Sequence, residues 1–489
     1  MSKSKPGTDP LLKQLRSVLP ESCIVSDPVS MKPYECDGLS GYRQMPRVVV
    51  LPETVDQVRA VMKVCQGTKT PIVPRGAGTS LSGGAMPHKD GVVISLARLN
   101  RILKIDEGNR TATVQAGVRN LQISQAVEHL GLYYAPDPSS QIACTIGGNV
   151  AENAGGVHCL KYGLTVHNIL QVKMVNLDGE LVSIGGTALD TPGYDLLALL
   201  MGSEGMLGIV VEVLVRLLPR PKVARVLMAA FDDIEKAANA VAAVIAAGVI
   251  PGGFEMMDKA AIQASEDFTG AGYPTDAEAI LLCELDGTEA DVTTQIKKVE
   301  ALLEDSGAVE IRLASDETQR IRFWSGRKNA FPAMGRISPD YYCMDGTIPR
   351  KELGNVLTRI AALSGKYGLR VANVFHAGDG NLHPLILYDA NQPDEFERAE
   401  EFGAEILDLC VAVGGTITGE HGVGVEKIDR MCVQFDESSL SQFQAIRDAF
   451  DPHGLLNPDK AVPTLARCAE FNAMHVHHGE LPHPELERF

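Results

Sequence analysis

The ten cysteines of this 489-residue sequence are scattered, and no two of them stand at Cys-x-x-Cys spacing. Iron–sulfur clusters and zinc ribbons commonly take their ligands from such closely spaced cysteines. We therefore expect no centre of either kind in this chain. Nearly all of the cysteines fit buried, reduced thiols in a reducing compartment.

Basic residues are too few for a nucleic-acid-binding protein. Lys and Arg number 45 against 62 Asp and Glu, which leaves a formal net charge of -17. Binding to phosphate backbones needs a basic surface, so we expect no nucleic-acid partner.

Long apolar segments are also missing. The first ten residues contain no apolar signal segment, which predicts cytoplasmic residence. The one long uncharged run, residues 237–254, is rich in alanine and ends in Pro-Gly-Gly, so we predict a buried helix there and no membrane span. Membrane contact is expected only through a partner.

What the sequence does contain is a glycine-rich loop at residues 73–84, directly after a short apolar run. Glycine lets the backbone approach a ligand closely, and Arg75 adds a charged fork, so the loop is typical of a phosphate site. A P-loop would carry Lys-Ser/Thr where Ala85 and Met86 stand, and the Rossmann pattern fails at Leu81. The ligand would be a nucleotide or dinucleotide cofactor; a glycine hairpin without a ligand is the alternative.

Apolar periodicity predicts two α+β domains. In the first, strands are expected at residues 48–51, 71–73, 105–116, 172–177 and 208–218, with a helix that starts at Pro52 and stops at Gly67. The pattern changes around residues 219–221. Beyond them we expect helices at 234–247, 291–305 and 351–366 and strands at 279–285, 309–313, 371–375 and 384–388. These predict a sheet covered by helices on one face.

Two further glycine-rich stretches, residues 136–156 and 202–209, lie inside the predicted first domain. Three such loops in one domain are hard to explain as turns, whereas together they suit an extended cofactor. The candidate cofactor-binding residues are Pro74, Arg75, Gly76, Ala77, Gly78, Thr79, Ser80, Pro136, Asp137, Thr145, Gly148, Asn149, Asn153, Gly155, Glu204, Gly208, Ile209 and Asn457.

The second domain carries a cluster of histidines. A Gly-Asp-Gly turn predicts a hairpin with His376 and His383 on neighbouring strands, and Glu420 follows another apolar strand. Together these three make a candidate divalent metal site, with His421 as a base. Taken singly, each histidine is as well explained by a structural or surface role.

Two other candidates have weaker signals. Arg327, on a predicted helix with the single tryptophan, is a candidate clamp for a substrate carboxylate; a surface arginine paired with a helix acid is the alternative. The histidine-rich tail at residues 467–489 is a candidate docking segment.

The segments 74–79, 136–138, 146–149 and 202–208 resemble the FAD-binding domain of the vanillyl-alcohol oxidase/para-cresol methylhydroxylase (PCMH) superfamily. The remainder is similar to the FAD-linked oxidase C-terminal domain of D-2-hydroxyacid dehydrogenases. Segments 33–38, 336–345 and 484–489 most resemble FAD-linked subunits of bacterial glycolate oxidase. Nearly the whole chain takes part in the resemblance.

The resemblance implies a fold and a division of the chain. The fold is a two-subdomain PCMH-type FAD-binding domain with an α+β cap whose antiparallel sheet is covered by helices. The boundaries are 1–45 for an N-terminal segment, 46–222 for the FAD domain, 223–446 for the cap and 447–489 for a segment that returns to the FAD domain.

The resemblance also implies chemistry. FAD is non-covalent, because Thr79 stands near the place where some relatives attach flavin through histidine. His376, His383 and Glu420 match positions that hold zinc or a similar ion, His421 matches the base and Arg327 the carboxylate clamp. The implied reaction oxidises glycolate, with D-lactate as a second substrate. Electrons would pass to a second FAD-binding subunit and an iron–sulfur subunit. D-lactate or D-2-hydroxyglutarate dehydrogenase and a non-catalytic electron relay are the alternatives.

Overall fold

The computed structural model describes residues 9–188, 193–464 and Cys468. The strands are β1 (Ile24–Val25), β2 (Val48–Val50), β3 (Ile72–Arg75), β4 (Val92–Ser95), β5 (Ile102–Asp106), β6 (Thr111–Gln115), β7 (Leu132–Tyr133), β8 (Ile169–Val175), β9 (Leu181–Gly185), β10 (Ile209–Arg216), β11 (Leu218–Pro219), β12 (Val223–Phe231), β13 (Gly253–Asp258), β14 (Ala279–Gly287), β15 (Glu310–Leu313), β16 (Asp340–Cys343), β17 (Val371–Phe375) and β18 (Pro384–Tyr388).

The α-helices are α1 (Pro10–Val18), α2 (Pro28–Met31), α3 (Val55–Thr68), α4 (Asn120–Val127), α5 (Ile146–Glu152), α6 (Cys159–Tyr162), α7 (Thr165–Asn168), α8 (Leu196–Leu200), α9 (Ile234–Ala246), α10 (Lys259–Thr269), α11 (Glu289–Asp305), α12 (Glu317–Lys328), α13 (Ala330–Ala333), α14 (Leu353–Tyr367), α15 (Glu395–Ala412), α16 (Met431–Gln434) and α17 (Glu437–Phe450). Short 3₁₀ turns connect several of them.

The first sheet has the order β1-β2-β4-β3, with β2, β4 and β3 parallel. Helix α3 connects β2 to β3 and begins at a Thr54 cap whose hydroxyl accepts from the Gln57 N–H. It continues past Gly67 to Thr68, and its C-cap residue Lys69 takes the left-handed conformation (φ 51°). The predicted stop was therefore two residues early, and β3 delivers the chain to the glycine loop that starts after Arg75.

The second sheet is antiparallel with the order β5-β6-β10-β8-β9. The single strand predicted at residues 105–116 is wrong: β5 and β6 form a hairpin. Asp106 accepts from the Asn109 N–H at 3.0 Å, and Arg110 takes φ 51°, so the polar run between the two strands closes a turn.

The third sheet is antiparallel and has seven strands in the order β15-β12-β14-β13-β17-β18-β16. Helices cover both of its faces, not one as predicted. Alternate residues of β12 pack on opposite sides: Leu227 and Phe231 with α9, α11, α14 and α15, and Val226 and Met228 with α10, α12 and α13. The α+β class is confirmed, and the long apolar strands reflect burial on two faces.

The ends of the described chain pack against the first sheet. Strand β1 pairs with β2, and Leu456 bridges to Ile72 of β3. The predicted boundary between residues 446 and 447 lies inside α17. The expected reduced state is wrong for Cys432 and Cys468, which form a disulfide with Cα atoms 5.5 Å apart; the other eight cysteines are free.

Within the described ranges no helix is both long and apolar enough to cross a bilayer. The run at 237–254 is split between α9 and the start of β13, so only its first part is helical. The candidate docking segment at 467–489 lies, apart from Cys468, outside the described residues.

Candidate active site

A cavity of about 670 Å³ lies between the glycine loops and the third sheet's helices. The loop after β3, the start of α5 and the loop after α8 all contribute to its wall. The predicted cofactor residues that line it are Pro74, Arg75, Gly76, Ala77, Gly78, Thr79, Ser80, Thr145, Gly148, Asn149, Glu204 and Gly208. Three glycine-rich segments that are far apart in sequence therefore meet at one cavity, and its size suits a cofactor.

Close packing explains Gly76 of the first glycine loop. The Thr145 hydroxyl caps α5 by accepting from the Gly148 N–H. A Cβ on Gly76 would collide with the same hydroxyl. Arg75 is 8% exposed, and its guanidinium donates to the Cys36 carbonyl at 2.7 Å. Arg75 thus touches the cavity while it is anchored to the N-terminal segment.

The other six predicted cofactor residues lie behind the cavity wall. The Pro136 carbonyl accepts from the Asn120 amide at 3.0 Å, and Asp137 pairs with His158 at 2.8 Å. Asn153 ends α5 in the left-handed conformation, and Ile209 opens β10. Their contact with a cofactor stays a prediction.

Gly155 and Asn457 connect the glycine loops to the rest of the site. A Cβ on Gly155 would lie 2.5 Å from the Glu420 carboxylate, so the second glycine loop closely approaches that acid. The buried Asn457 amide donates to the carbonyls of Gly84 and Glu204, at 2.9 and 2.7 Å. The returning segment therefore fastens the first and third glycine loops together.

His376, His383 and Glu420 converge as predicted, with candidate ligand atoms within 4.8 Å of one another. The two histidines lie just outside β17 and β18 and not within these strands. Nε2 of His376 is 3.4 Å and Nε2 of His383 is 3.0 Å from Glu420 Oε1. Their other ring nitrogens are held: Nδ1 of His376 lies 2.8 Å from Glu255, and Nδ1 of His383 lies 3.3 Å from the Met344 carbonyl.

This donor set fits a divalent ion. Two buried imidazoles and one carboxylate meet at one point, and partners behind both imidazoles orient them toward it. Burial would raise the pKa of Glu420, but the contacts with His376 and His383 hold it well below its usual range. Burial would lower the pKa of His376, but Glu255 and Glu420 raise it well above its usual range, so an ion bound here would displace a proton from that imidazole.

His421 lies on the cavity wall beside this cluster. Its ring stacks on that of His383, with centroids 4.9 Å apart and planes at 9°. Burial lowers the pKa of His421 to about 4, so the ring is neutral near pH 7. Nδ1 is buried without a hydrogen-bond partner among the described residues. A neutral, partly unpartnered imidazole at a cavity wall is chemically suited to accept a proton.

Asp345, which the sequence pattern did not single out, holds the loop that carries Glu420 and His421. Its buried carboxylate accepts from the His421 N–H and the Gly419 N–H, both at 3.0 Å, and from the Glu420 N–H at 3.2 Å. An acid one residue after a strand gives no sequence signal for such a role, because its three donors come from 74 to 76 residues away.

Arg327 has a different neighbour from the one that its predicted role requires. It is 2% exposed, and its guanidinium lies 2.6 Å from Glu255, the same acid that holds His376. Among the described residues that line the cavity, its neighbour Lys328 is present and Arg327 is not. The clamp role stays a prediction, and Glu255 is a further residue that sequence reasoning missed.

A cofactor-sized cavity with a histidine and carboxylate cluster at one wall is typical of an enzyme that binds an extended cofactor. Comparison with known proteins specifies this class. A family model described as FAD binding domain matches residues 46–185, and one described as FAD linked oxidases, C-terminal domain, matches residues 220–461. The chain belongs to this family of FAD-linked oxidases.

Comparisons with individual proteins agree with the family models. The chain is 63% identical to glycolate oxidase subunit GlcD of Escherichia coli (strain K12), over 98% of this chain and 96% of the relative. It is 31% identical to a D-lactate dehydrogenase of Anaerostipes hadrus, over 93% of this chain and 97% of the relative. The crystal structure of p-cresol methylhydroxylase has the same fold, with a TM-score of 0.78 at 20% identity, over 93% and 97% of the two chains.

Proposed function

We propose that the chain is an FAD-dependent dehydrogenase that oxidises glycolate to glyoxylate, with D-lactate as a second substrate. The observation that carries the proposal is a single cavity whose wall joins three glycine loops to His383, Glu420 and His421. High identity to a glycolate oxidase subunit supports glycolate as the substrate.

The residues on the cavity wall can be assigned to steps. The glycine loops would hold FAD non-covalently, with Thr79 in a place where no covalent link forms. Bound FAD would supply the acceptor for the hydride that leaves the α-carbon. His421, neutral near pH 7, accepts the proton of the substrate hydroxyl. Loss of a proton to one side and a hydride to the other converts the alcohol to the carbonyl.

A divalent ion such as zinc would be held by His376, His383 and Glu420, where it would lower the pKa of the substrate alcohol. Arg327 is proposed to fix the substrate carboxylate. Its guanidinium would then have to bind the incoming anion as well as its present partner, Glu255. The close approach of Gly155 to the Glu420 carboxylate brings the proposed metal ligands against the second glycine loop.

Electrons are proposed to leave through partners. The chain has no Cys-x-x-Cys pair, and the name of its Escherichia coli relative describes a subunit. We propose a second FAD-binding subunit and an iron–sulfur subunit, with a cytoplasmic location and contact with the inner membrane only through that complex. We also propose the FAD domain at 46–222, the cap at 223–446, and flanking segments at 1–45 and 447–489.

Anaerobic bleaching of the bound flavin tests this function. Glycolate, each lactate enantiomer and D-2-hydroxyglutarate are mixed with the FAD-loaded chain, with and without a chelator. Fastest bleaching by glycolate supports the proposal, and loss of bleaching with chelator supports the metal. Fastest bleaching by D-lactate favours the activity named for the Anaerostipes hadrus relative. No bleaching by any of them would favour an electron-relay flavoprotein.

A further inference from the structure

Glu152 stands on the cavity wall and has no place in the mechanism above. It is the last residue of α5, the helix whose first turn carries Thr145 and Gly148 of the second glycine loop. Glu152 lines the same cavity as the start of this helix. Oxygen Oε2 is buried and has no hydrogen-bond partner among the described residues. An ionised oxygen in that position would lack any group to compensate its charge.

A second carboxyl converges on the same place. A Cβ on Gly84 would lie 2.7 Å from Glu152 Oε1 and 3.4 Å from Glu204 Oε2. A Cβ on Gly422 would collide with Glu152 Oε2 and lie 3.1 Å from Glu204 Oε1. The two acids, which come from different glycine-rich loops, therefore both approach the backbone at Gly84 and Gly422, and Gly422 also takes φ 82°.

The two acids differ in their hydrogen bonds. Glu204 accepts from the backbone N–H groups of Val423 and Gly424, at 2.7 and 2.8 Å. Burial raises the pKa of Glu204, and these two bonds oppose that rise because they stabilise the carboxylate. Glu152 has the Ser80 hydroxyl as a side-chain neighbour and no backbone donor of this kind. The negative charge of the pair therefore belongs on Glu204, and the proton on Glu152.

The surrounding charges also favour a proton on Glu152 and a charge on Glu204. Burial, then the charge of Glu204 and then that of Asp37 raise the pKa of Glu152 well above its usual range, against the opposing charge of Lys427. Lys460, buried close to Glu204, adds positive charge on the side of Glu204. Two acids that converge in a buried site cannot both ionise at low cost.

We propose that Glu152 is a neutral carboxylic acid of the flavin cavity and donates a hydrogen bond from its O–H group to a heteroatom of the bound flavin. The proposal rests on the proposed binding of FAD. Reduced flavin is richer in electrons than oxidised flavin, so a neutral donor stabilises the reduced form more. An ionised Glu152 would do the opposite. The sign of the effect on the flavin reduction potential therefore distinguishes the two protonation states.

The test compares Glu152→Gln and Glu152→Ala by anaerobic redox titration of the FAD-loaded chain. Gln keeps the shape and a neutral donor, so the oxidised-to-reduced equilibrium should stay within about twofold of the parent. Ala removes the donor and should shift it about tenfold toward oxidised flavin, roughly 30 mV for a two-electron couple. Glu212→Gln, in a pair with Lys173 away from the cavity wall, is the matched control and should change nothing.

Two outcomes of the titration overturn the proposal. If Gln shifts the equilibrium about tenfold or more toward reduced flavin, Glu152 carries a charge in the parent. If Ala leaves the equilibrium unchanged, the side chain has no contact with the flavin. Bleaching of the parent chain by glycolate is measured separately, so failure of the glycolate assignment does not enter this result.

Infrared spectroscopy supplies a second readout. The difference spectrum between oxidised and reduced flavin should contain a band of a protonated carboxyl group, and Glu152→Gln should remove that band. A band that survives in this variant would assign the proton to another acid and overturn the proposal. The Glu212→Gln control should keep the band.

Discussion

Lys427 Nζ lies 3.1 Å from Asp345 Oδ2, and both side chains have no exposed surface. Lys427 also donates to the Gly422 carbonyl at 3.0 Å, while Asp345 accepts from the backbone N–H groups of residues 419–421. The ion pair therefore clamps both ends of the short loop that carries Glu420 and His421. The proposed chemistry depends on a charge pair that itself lies behind the cavity.

Removing the charge of Asp345 should destabilise the protein. Asp345→Asn removes the nearer of the two acids beside the buried Lys427, since Glu426 lies 3.8 Å away, and breaking a buried pair typically costs about 3–5 kcal/mol. Urea unfolding of the FAD-loaded chain, followed by circular dichroism, measures the loss. Glu180→Gln, which removes one acid of an exposed pair with Lys63, should leave the unfolding curve nearly unchanged. Equal effects of the two variants would contradict the clamp.

His421→Ala should separate flavin binding from flavin reduction. Without its imidazole the site lacks the group that accepts the hydroxyl proton, so the anaerobic bleaching rate should fall about 10²–10⁴-fold. FAD content should remain that of the parent, because the glycine loops are untouched. His129→Ala, at an exposed position, is the control and should bleach normally. Parent-like bleaching by the His421 variant would remove it from the mechanism.

Glu255→Gln should weaken metal binding without removing a proposed ligand. Its carboxylate lies 2.8 Å from Nδ1 of His376, and partners of this kind orient a ligating imidazole and raise its basicity. We expect the zinc dissociation constant to rise about 10–100-fold, measured by competition with a chelating dye. Glu310→Gln, in a pair with Arg312 on β15, should bind zinc like the parent. Unchanged affinity in both variants would contradict the proposed metal site.

The contact of His158 with Asp137 and Glu284 should make stability depend on alkaline pH. Burial alone would lower the pKa of His158, but the two carboxylates raise it to about 10. Its usual value is about 6.5. Because the folded state holds the proton more tightly, this stabilisation is complete below about pH 6.5 and is lost as pH rises toward 10.

His158→Gln should therefore unfold more easily by about 2 kcal/mol at pH 6, and the difference from the parent should shrink as pH rises toward 10. Urea unfolding at a series of pH values provides the measurement. A difference that stays constant across this range would show that His158 is not protonated in the folded chain.

Local pattern was sufficient for much of the fold. The strands at 371–375 and 384–388 and the helix that begins at 234 were predicted at the observed positions, because alternation and helical periodicity are properties of neighbouring residues. The hairpin at Asp106 to Thr111 was missed although the polar run at 106–110 contains glycine and asparagine, which are turn residues. Helices on the second face of the large sheet were also missed, because a strand buried on both faces has no alternation to reveal it.

The sequence by itself determined the loops and the candidate residues: glycine spacing predicted a cofactor site, and the segments 376–383 and 420–421 supplied the proposed metal ligands and the proposed base. Only the tertiary structure decided which buried acids contact these residues. Asp345, Glu255 and Glu152 are ordinary acids in the sequence. The hydrogen-bond partners of Asp345 and Glu255 come from 72 to 121 residues away, and the neighbours of Glu152 come from a different loop. Burial and proximity to other charges set the protonation of such groups, and both arise only when distant segments pack together.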